Sequence, residues 1–214
     1  MTPGLAVVTL TRFEPERAKW LHECKASVRG FEHLVIDGRM QFQETRWRAA
    51  HAAEYVAWVD DDDRVVGDAL QQCVRALDET GAGVAFTHEA RIDADGRTIT
   101  NPHPWRDVTL RDVAMHPQAL HHLAVVRASA LAPEILEHAQ RIGIGIDWLM
   151  RACAALCHGA VRVPVIGYEW RQHARAESQS EHWATAYHDA MPALRAVTKK
   201  WLKHDAPIRQ FLPG

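Results

Sequence analysis

Tyr55-Val56-Ala57-Trp58-Val59-Asp60-Asp61-Asp62-Asp63 joins an unbroken apolar run to four consecutive aspartates. The apolar half is rich in β-branched and aromatic residues and shows no polar alternation. That pattern predicts a strand covered on both faces, as in a parallel sheet. Parallel sheets bind ligands outside the carboxyl ends of their strands. Adjacent carboxylates repel one another unless a cation neutralises them. Hard cations such as Mg²⁺ and Mn²⁺ take oxygen ligands and bridge carboxylates to substrate phosphates. An isolated acidic run reads as a solvated turn. Its position on the tip of a strong strand favours a divalent-metal site for a phosphorylated substrate.

The flanking sequence repeats the strand–helix alternation of an α/β fold. Upstream, Leu5 to Leu10 reads as a strand, and Pro15 opens a helix to about Ser27 with Ala18, Leu21 and Val28 on its buried face. His33 to Ile36 is a second strand closed by Asp37-Gly38, and Glu44 to Ala53 is a second helix. Downstream, Gly67 to Thr80 is helical and Val84 to Thr87 extended. Arg91 to Ile99 reads as a hairpin turning at Gly96, with Asp93 and Asp95 as turn residues rather than a calcium loop. Asn101 to Gln118 is irregular, and a long loop in a compact domain is usually functional. His122 to Arg127 is a strand, and Ala128 to Gln140 a helix interrupted by Pro133. Gly143 and Gly145 allow a tight turn before Asp147 opens a helix to about His158. Val161 to His173 is extended, and Ala184 to Lys203 is a terminal helix with a basic end.

The 214 residues suit one domain with a full core. Hydrophobic residues make up 47% and charged residues 24%, with a formal net charge of −2. That balance argues against a surface given over to nucleic acid. No apolar run approaches the roughly 20 residues of a membrane span. No signal peptide is evident at the N-terminus, so a cytoplasmic protein is expected. Cys153 and Cys157, with His158, have helical spacing but lack a second ligand pair. The four cysteines therefore read as buried thiols.

The ordered motifs resemble a GT-A glycosyltransferase of the inverting glycosyltransferase family 2, from about Val7 to His173. Thr9 and Thr11 stand in the segment resembling the family's nucleotide-contacting first strand. Asp37 resembles its base-reading aspartate. Thr45-Arg46-Trp47 resembles the step that supplies a donor-binding arginine. Asp60 to Asp63 contains the family's Asp-x-Asp, with Gly67-Asp68-Ala69-Leu70 where Pro-Asp-x-Leu is usual. This registration implies Asp60 and Asp61 on the donor and Asp62 on the metal. Gly145-Ile146-Asp147-Trp148 resembles the Glu-Asp-Trp segment whose carboxylate is the catalytic base, with Ile146 in place of the acidic neighbour. Trp170-Arg171-Gln172-His173 resembles the Tyr-Arg-x-His segment whose histidine ligates the metal, and Ser178 and Ser180 fall where a serine is frequent.

The resemblance implies a single α/β GT-A-like (Rossmann-like) domain. Its mostly parallel central sheet would be flanked by helices, with a small antiparallel element. About 1–100 would form the nucleotide-sugar-binding half and about 101–214 the acceptor and catalytic half. The implied activity is metal-dependent inverting hexosyl transfer from a nucleoside-diphosphate sugar, with Mn²⁺ or Mg²⁺ bound and a UDP-sugar suggested by Asp37. The resemblance leaves the acceptor open among a glycan, a lipid carrier, a protein and a modified nucleobase in DNA. Trp105, His103 and His116 fall in the stretch expected to shape its side. Lys199, Lys200, Lys203 and His204 read as a helix end favoured by its dipole, with an anionic acceptor as the alternative. Arg12 and Arg48 are further phosphate-clamp candidates beside Arg46. Two other readings share features with the sequence: a non-catalytic sugar or nucleic-acid binding module, and a haloacid-dehalogenase-like phosphatase. The latter normally opens its domain with the Asp-x-Asp strand, whereas two strands precede it here.

Overall fold

Alternate residues of the central apolar run enter two different cores. The computed structural model describes residues 4–38, 42–100, 108–121, 123–174, 176 and 181–212. In strand β3 (Tyr55–Trp58) and the residue after it, Val56 and Trp58 join one buried cluster, while Tyr55, Ala57 and Val59 join the other. Both sheet faces are therefore dry, which explains the missing polar alternation. The same division runs through β1 (Leu5–Thr11), where Val8 faces one core and Leu5 and Val7 the other.

Among the described residues nine strands form one sheet. Its remaining strands are β2 (Glu32–Asp37), β4 (Arg64–Val65), β5 (Val84–Ile92), β6 (Thr98–Thr100), β7 (Ala124–Arg127), β8 (Ala160–Arg171) and β9 (Arg209–Gln210). The order is β2-β1-β3-β7-β5-β8-β4, with β6 on β5 and β9 on β8. β1 is parallel to β2 and β3; β7 runs antiparallel to β3 and β5; β8 is parallel to β5. The two reversals at β7 cancel. β1, β2, β3, β5 and β8 thus end at the same edge, and the small antiparallel part consists of β4, β6 and β7 against their neighbours.

Helices α1 (Ala18–Ser27) and α3 (Ala69–Thr80) cover one face. Helices α2 (Phe42–Ala49), α4 (Leu110–Met115), α5 (Glu134–Ile142), α6 (Ile146–His158) and α7 (Glu181–Trp201) cover the other. α6 is the innermost, buried from Leu149 to Leu156. Its burial includes Cys153, and Cys24 and Cys73 are also buried free thiols.

Several boundaries differ from the sequence expectation. Pro15 opens a 3₁₀ turn, Pro15–Arg17, before α1 begins, and Ala18 is exposed, so Cys24 and Val28 carry the buried face. Pro133 caps α5 and separates it from a 3₁₀ turn at Ala128–Ala130, because proline cannot continue a helix from its N-terminal side. The irregular stretch contains α4, whose Thr109 and Asp112 form a capping box. His103, Trp105, His122, Ser178 and Ser180 lie outside the described residues. Among the described residues no helix is long and apolar enough to cross a membrane.

Candidate functional site

The acidic run is the turn by which the chain leaves β3 and returns antiparallel along β8 in β4. Asp63 N–H donates to the Asp60 carbonyl at 3.1 Å, closing that turn. Arg171, fully buried at the end of β8, holds it from behind. Its backbone N–H donates to Asp63 Oδ1 and its Nε–H to the Asp62 carbonyl, both at 2.6 Å. Nη1 reaches the carbonyls of Asp93 and Ala94, and Nη2 reaches Glu23 Oε2 at 2.6 Å. One guanidinium therefore fixes the backbone that presents the aspartates. Tyr168 contributes from the same strand, its hydroxyl accepting the Asp60 N–H at 3.1 Å.

Burial raises the carboxyl groups of Asp60, Asp61 and Asp63, and each is further raised by its acidic neighbours. Asp60 is pushed up to about 6, with Arg46 offsetting part of the burial. A cluster so strained electrostatically attracts cations.

The expected residues are brought together unequally. Thr11 pairs with Asp37 across β1 and β2, and its hydroxyl bonds Asp61. Thr9 lies two residues back and is fully buried. Its hydroxyl donates to the Val59 carbonyl at 2.9 Å and meets His33 Nε2 at 2.9 Å, so it is engaged inside the fold. Asp62 Oδ2 lies 2.8 Å from His173 Nε2, and the His173 ring packs on Trp20 at 4.3 Å between centroids. Arg46 of α2 is buried, and its Nε has no hydrogen-bond partner among the described residues. Arg48 points away, 80% exposed beside Glu44.

Asp147 reaches this group from across the sheet edge. Gly145, in the left-handed region at φ 80°, is the N-cap of α6, so the Asp147 side chain is not the cap. Its Oδ2 accepts from Arg151 Nη2 at 2.6 Å and lies 3.9 Å from Arg46 Nη1. Arg46 thus stands between Asp147 and Asp60, linking the start of α6 to the acidic turn.

The donor set suits a hard or borderline divalent ion. Asp62 Oδ2 and His173 Nε2, hydrogen-bonded to each other at 2.8 Å, are the two side-chain atoms that would hold such an ion. Among the described residues no group of three or more His, Cys, Asp or Glu is arranged around one metal position. An ion held by these two side chains would need further ligands from substrate phosphate and water, the habit of Mg²⁺.

Arg17, Arg171, Arg151, Trp20 and Tyr168 were not singled out in the sequence for these roles. Arg17, Trp20 and Glu23 recur at spacings of three, a helical stripe that faces the site.

No family model and no curated protein matches the chain. Solved structures do. Residues 1–349 of S. aureus TarS, a GT-A-type glycosyltransferase, in complex with UDP-GlcNAc, align with TM-score 0.57 and 17% identity over 91% of this chain and 66% of that one. The same segment with UDP aligns with TM-score 0.53 and 14% identity over 91% of this chain and 65% of that one. This chain has the GT-A fold. A larger TarS structure aligns with TM-score 0.55 and 13% identity over 92% of this chain, which spans 42% of that one.

Proposed function

We propose that the chain transfers a hexose from a UDP-sugar to an acceptor hydroxyl with inversion, in the presence of Mn²⁺ or Mg²⁺. The observation that carries the reading is Arg46, buried between Asp60 and Asp147 with an unpaired Nε. A phosphate group supplies the acceptor oxygen this donor lacks, and an arginine binds it in a fixed fork geometry. The complexes of TarS with UDP-GlcNAc and UDP support the choice of donor.

In this reading Thr11, Asp37 and Asp61 line the nucleoside, and Asp60 and Arg46 face the diphosphate. Thr9 acts only by tying β1 to Val59. Asp62 and His173 hold the cation. When bound, the ion supplies Lewis-acid stabilisation of the leaving diphosphate. The acceptor oxygen attacks the anomeric carbon as the bond from that carbon to the phosphate oxygen breaks. The electron pair leaves with UDP, and the acceptor proton passes to Asp147. Arg151 fixes the Asp147 carboxylate through Oδ2, and we assign the proton to Oδ1. A single displacement with one base inverts the centre. The acceptor, whether glycan, lipid carrier, protein or nucleobase, enters on the side of α4, α6 and α7.

Two variants separate binding from chemistry. Asp62→Ala abolishes cation-dependent UDP binding, whereas Asp147→Asn retains it and loses transfer. Full turnover by Asp147→Asn overturns the base assignment. Unchanged cation-dependent affinity in Asp62→Ala overturns the donor site.

A further inference from the structure

Arg17 already occupies the cation's side of the acidic turn. Its Nη2 contacts Asp61 Oδ1 and lies 2.8 Å from Asp62 Oδ2. That Asp62 oxygen is also the one facing His173 Nε2 at 2.8 Å. A guanidinium and a divalent ion cannot both sit against one carboxylate oxygen without strong repulsion. The Arg17 Nε is buried and has no partner among the described residues, so the side chain leaves one donor unused.

The segment that carries Arg17 is strained next to it. Phe13 has φ 54°, the one non-glycine residue in the left-handed region among the described residues, and its side chain is 53% exposed. A bulky residue in that region is costly and persists where its surroundings hold it. What holds it is local: Phe13 N–H donates to Thr11 Oγ1 at 3.2 Å, and Thr11 in turn bonds Asp61. The strain, the Thr11 bond and the Arg17 contact all converge on Asp61 and Asp62.

We propose that Arg17 is a built-in counter-cation for Asp61 and Asp62, displaced from Asp62 when the cation and nucleoside diphosphate bind, and that its guanidinium then takes the diphosphate. In this account, which rests on the donor-site reading above, Arg17 first holds Asp61 and Asp62 and then contacts the donor's diphosphate. The consequence is thermodynamic coupling. A free divalent ion must compete with Arg17 for Asp62 Oδ2. A nucleoside diphosphate gives Arg17 a new partner, so each ligand tightens the other. Equal-affinity binding to the two arrangements would shift neither.

The test is Mn²⁺ binding followed by electron paramagnetic resonance, with and without UDP, in wild type, Arg17→Gln and Arg17→Lys. The expected result is that Arg17→Gln binds Mn²⁺ alone about 10-fold more tightly than wild type. UDP then improves Mn²⁺ affinity by a smaller factor in Arg17→Gln than in wild type. Arg17→Lys falls between, because it keeps the positive charge but lacks the guanidinium's fork for the diphosphate. If Arg17→Gln does not fold, the difference between Arg17→Lys and wild type carries the test. Unchanged or weaker Mn²⁺ affinity in the variants, with the UDP factor intact, overturns the displacement while leaving the donor site standing. Wild type that binds no Mn²⁺ even with saturating UDP overturns the donor-site reading and this inference with it. Equal UDP affinity in Mn²⁺ and EDTA that is lost in Arg17→Gln makes Arg17 a permanent substitute for the ion, and also overturns displacement.

Discussion

Arg171 does more for the site's shape than any side chain expected to touch substrate. It is completely buried, and its partners are four backbone or carboxylate groups from three separate segments. Removing it takes this donor from the Asp62, Asp93 and Ala94 carbonyls and leaves Glu23 with the 3.5 Å contact from Arg64 Nη1. Arg171→Met is expected to destabilise the fold by about 3 kcal/mol, the scale for breaking a buried ion pair, read from urea midpoints. Asp147→Asn leaves the buried Arg151 guanidinium without its carboxylate, so it should also cost stability, by about 1–3 kcal/mol, and it should lower kcat about 100-fold or more, the contribution of a general base. Transfer assays with matched donor affinity check this. The residue types that carry charge to the site were legible where a motif framed them: Asp60 to Asp62 on a strand tip, Asp147 after glycines, His173 after an extended run. Arg17 was not, and Arg171, although it stood inside the quoted Trp170-Arg171-Gln172-His173 segment, was given no role of its own. Each pairs with carboxylates or carbonyls more than forty positions away in sequence. No local pattern separates such an arginine from one on a solvated surface.

Elements position those residues, and the turns between them are where substitutions act. Gly145 holds a positive φ of 80°, and a Cβ there would stand 2.9 Å from the Trp148 ring. Gly145→Ala should cost about 1–2 kcal/mol from the left-handed backbone alone. It should also shift the start of α6, so transfer falls further than UDP affinity, read as kcat against Kd. In β5, burial together with the nearby Arg162 charge holds His88 down to about 4. Its neutral form is thus favoured on folding. The stability it contributes is complete above the ordinary histidine value of about 6.5 and is lost as pH falls towards 4. Urea midpoints across that window should drop less steeply in His88→Gln than in wild type. The strong elements, β1, β3, α3 and α6, were legible because long apolar runs and glycine stops define them. β4 and β9 were not, since each has two residues and exists only through pairing with β8. α4 was hidden within a proline- and histidine-rich stretch, its Thr109–Asp112 capping box outweighing weak propensity.

At the scale of the molecule, two antiparallel steps through β7 return the chain to its first direction, so side chains far apart in sequence meet at one edge. A mostly parallel sheet with a small antiparallel element was expected from the sequence, but not that β7 would be a reversed strand inside it. A strand covered on both faces reads the same in either direction. The account treats the edge as one donor site in which cation and nucleotide bind together. UDP with Mn²⁺ at about 100 times Kd should stabilise the fold by about 2.7 kcal/mol, raising Tm by roughly 5–10 °C for a chain of this size. Either ligand alone should give much less. Calorimetric titration of UDP, GDP, CDP and dTDP, each with Mn²⁺ and then with EDTA, tests the central claim most directly. The account predicts that UDP binds with Mn²⁺ and that its binding disappears with EDTA. Absence of binding by all four nucleotides, or binding of UDP that EDTA leaves unchanged, would contradict it.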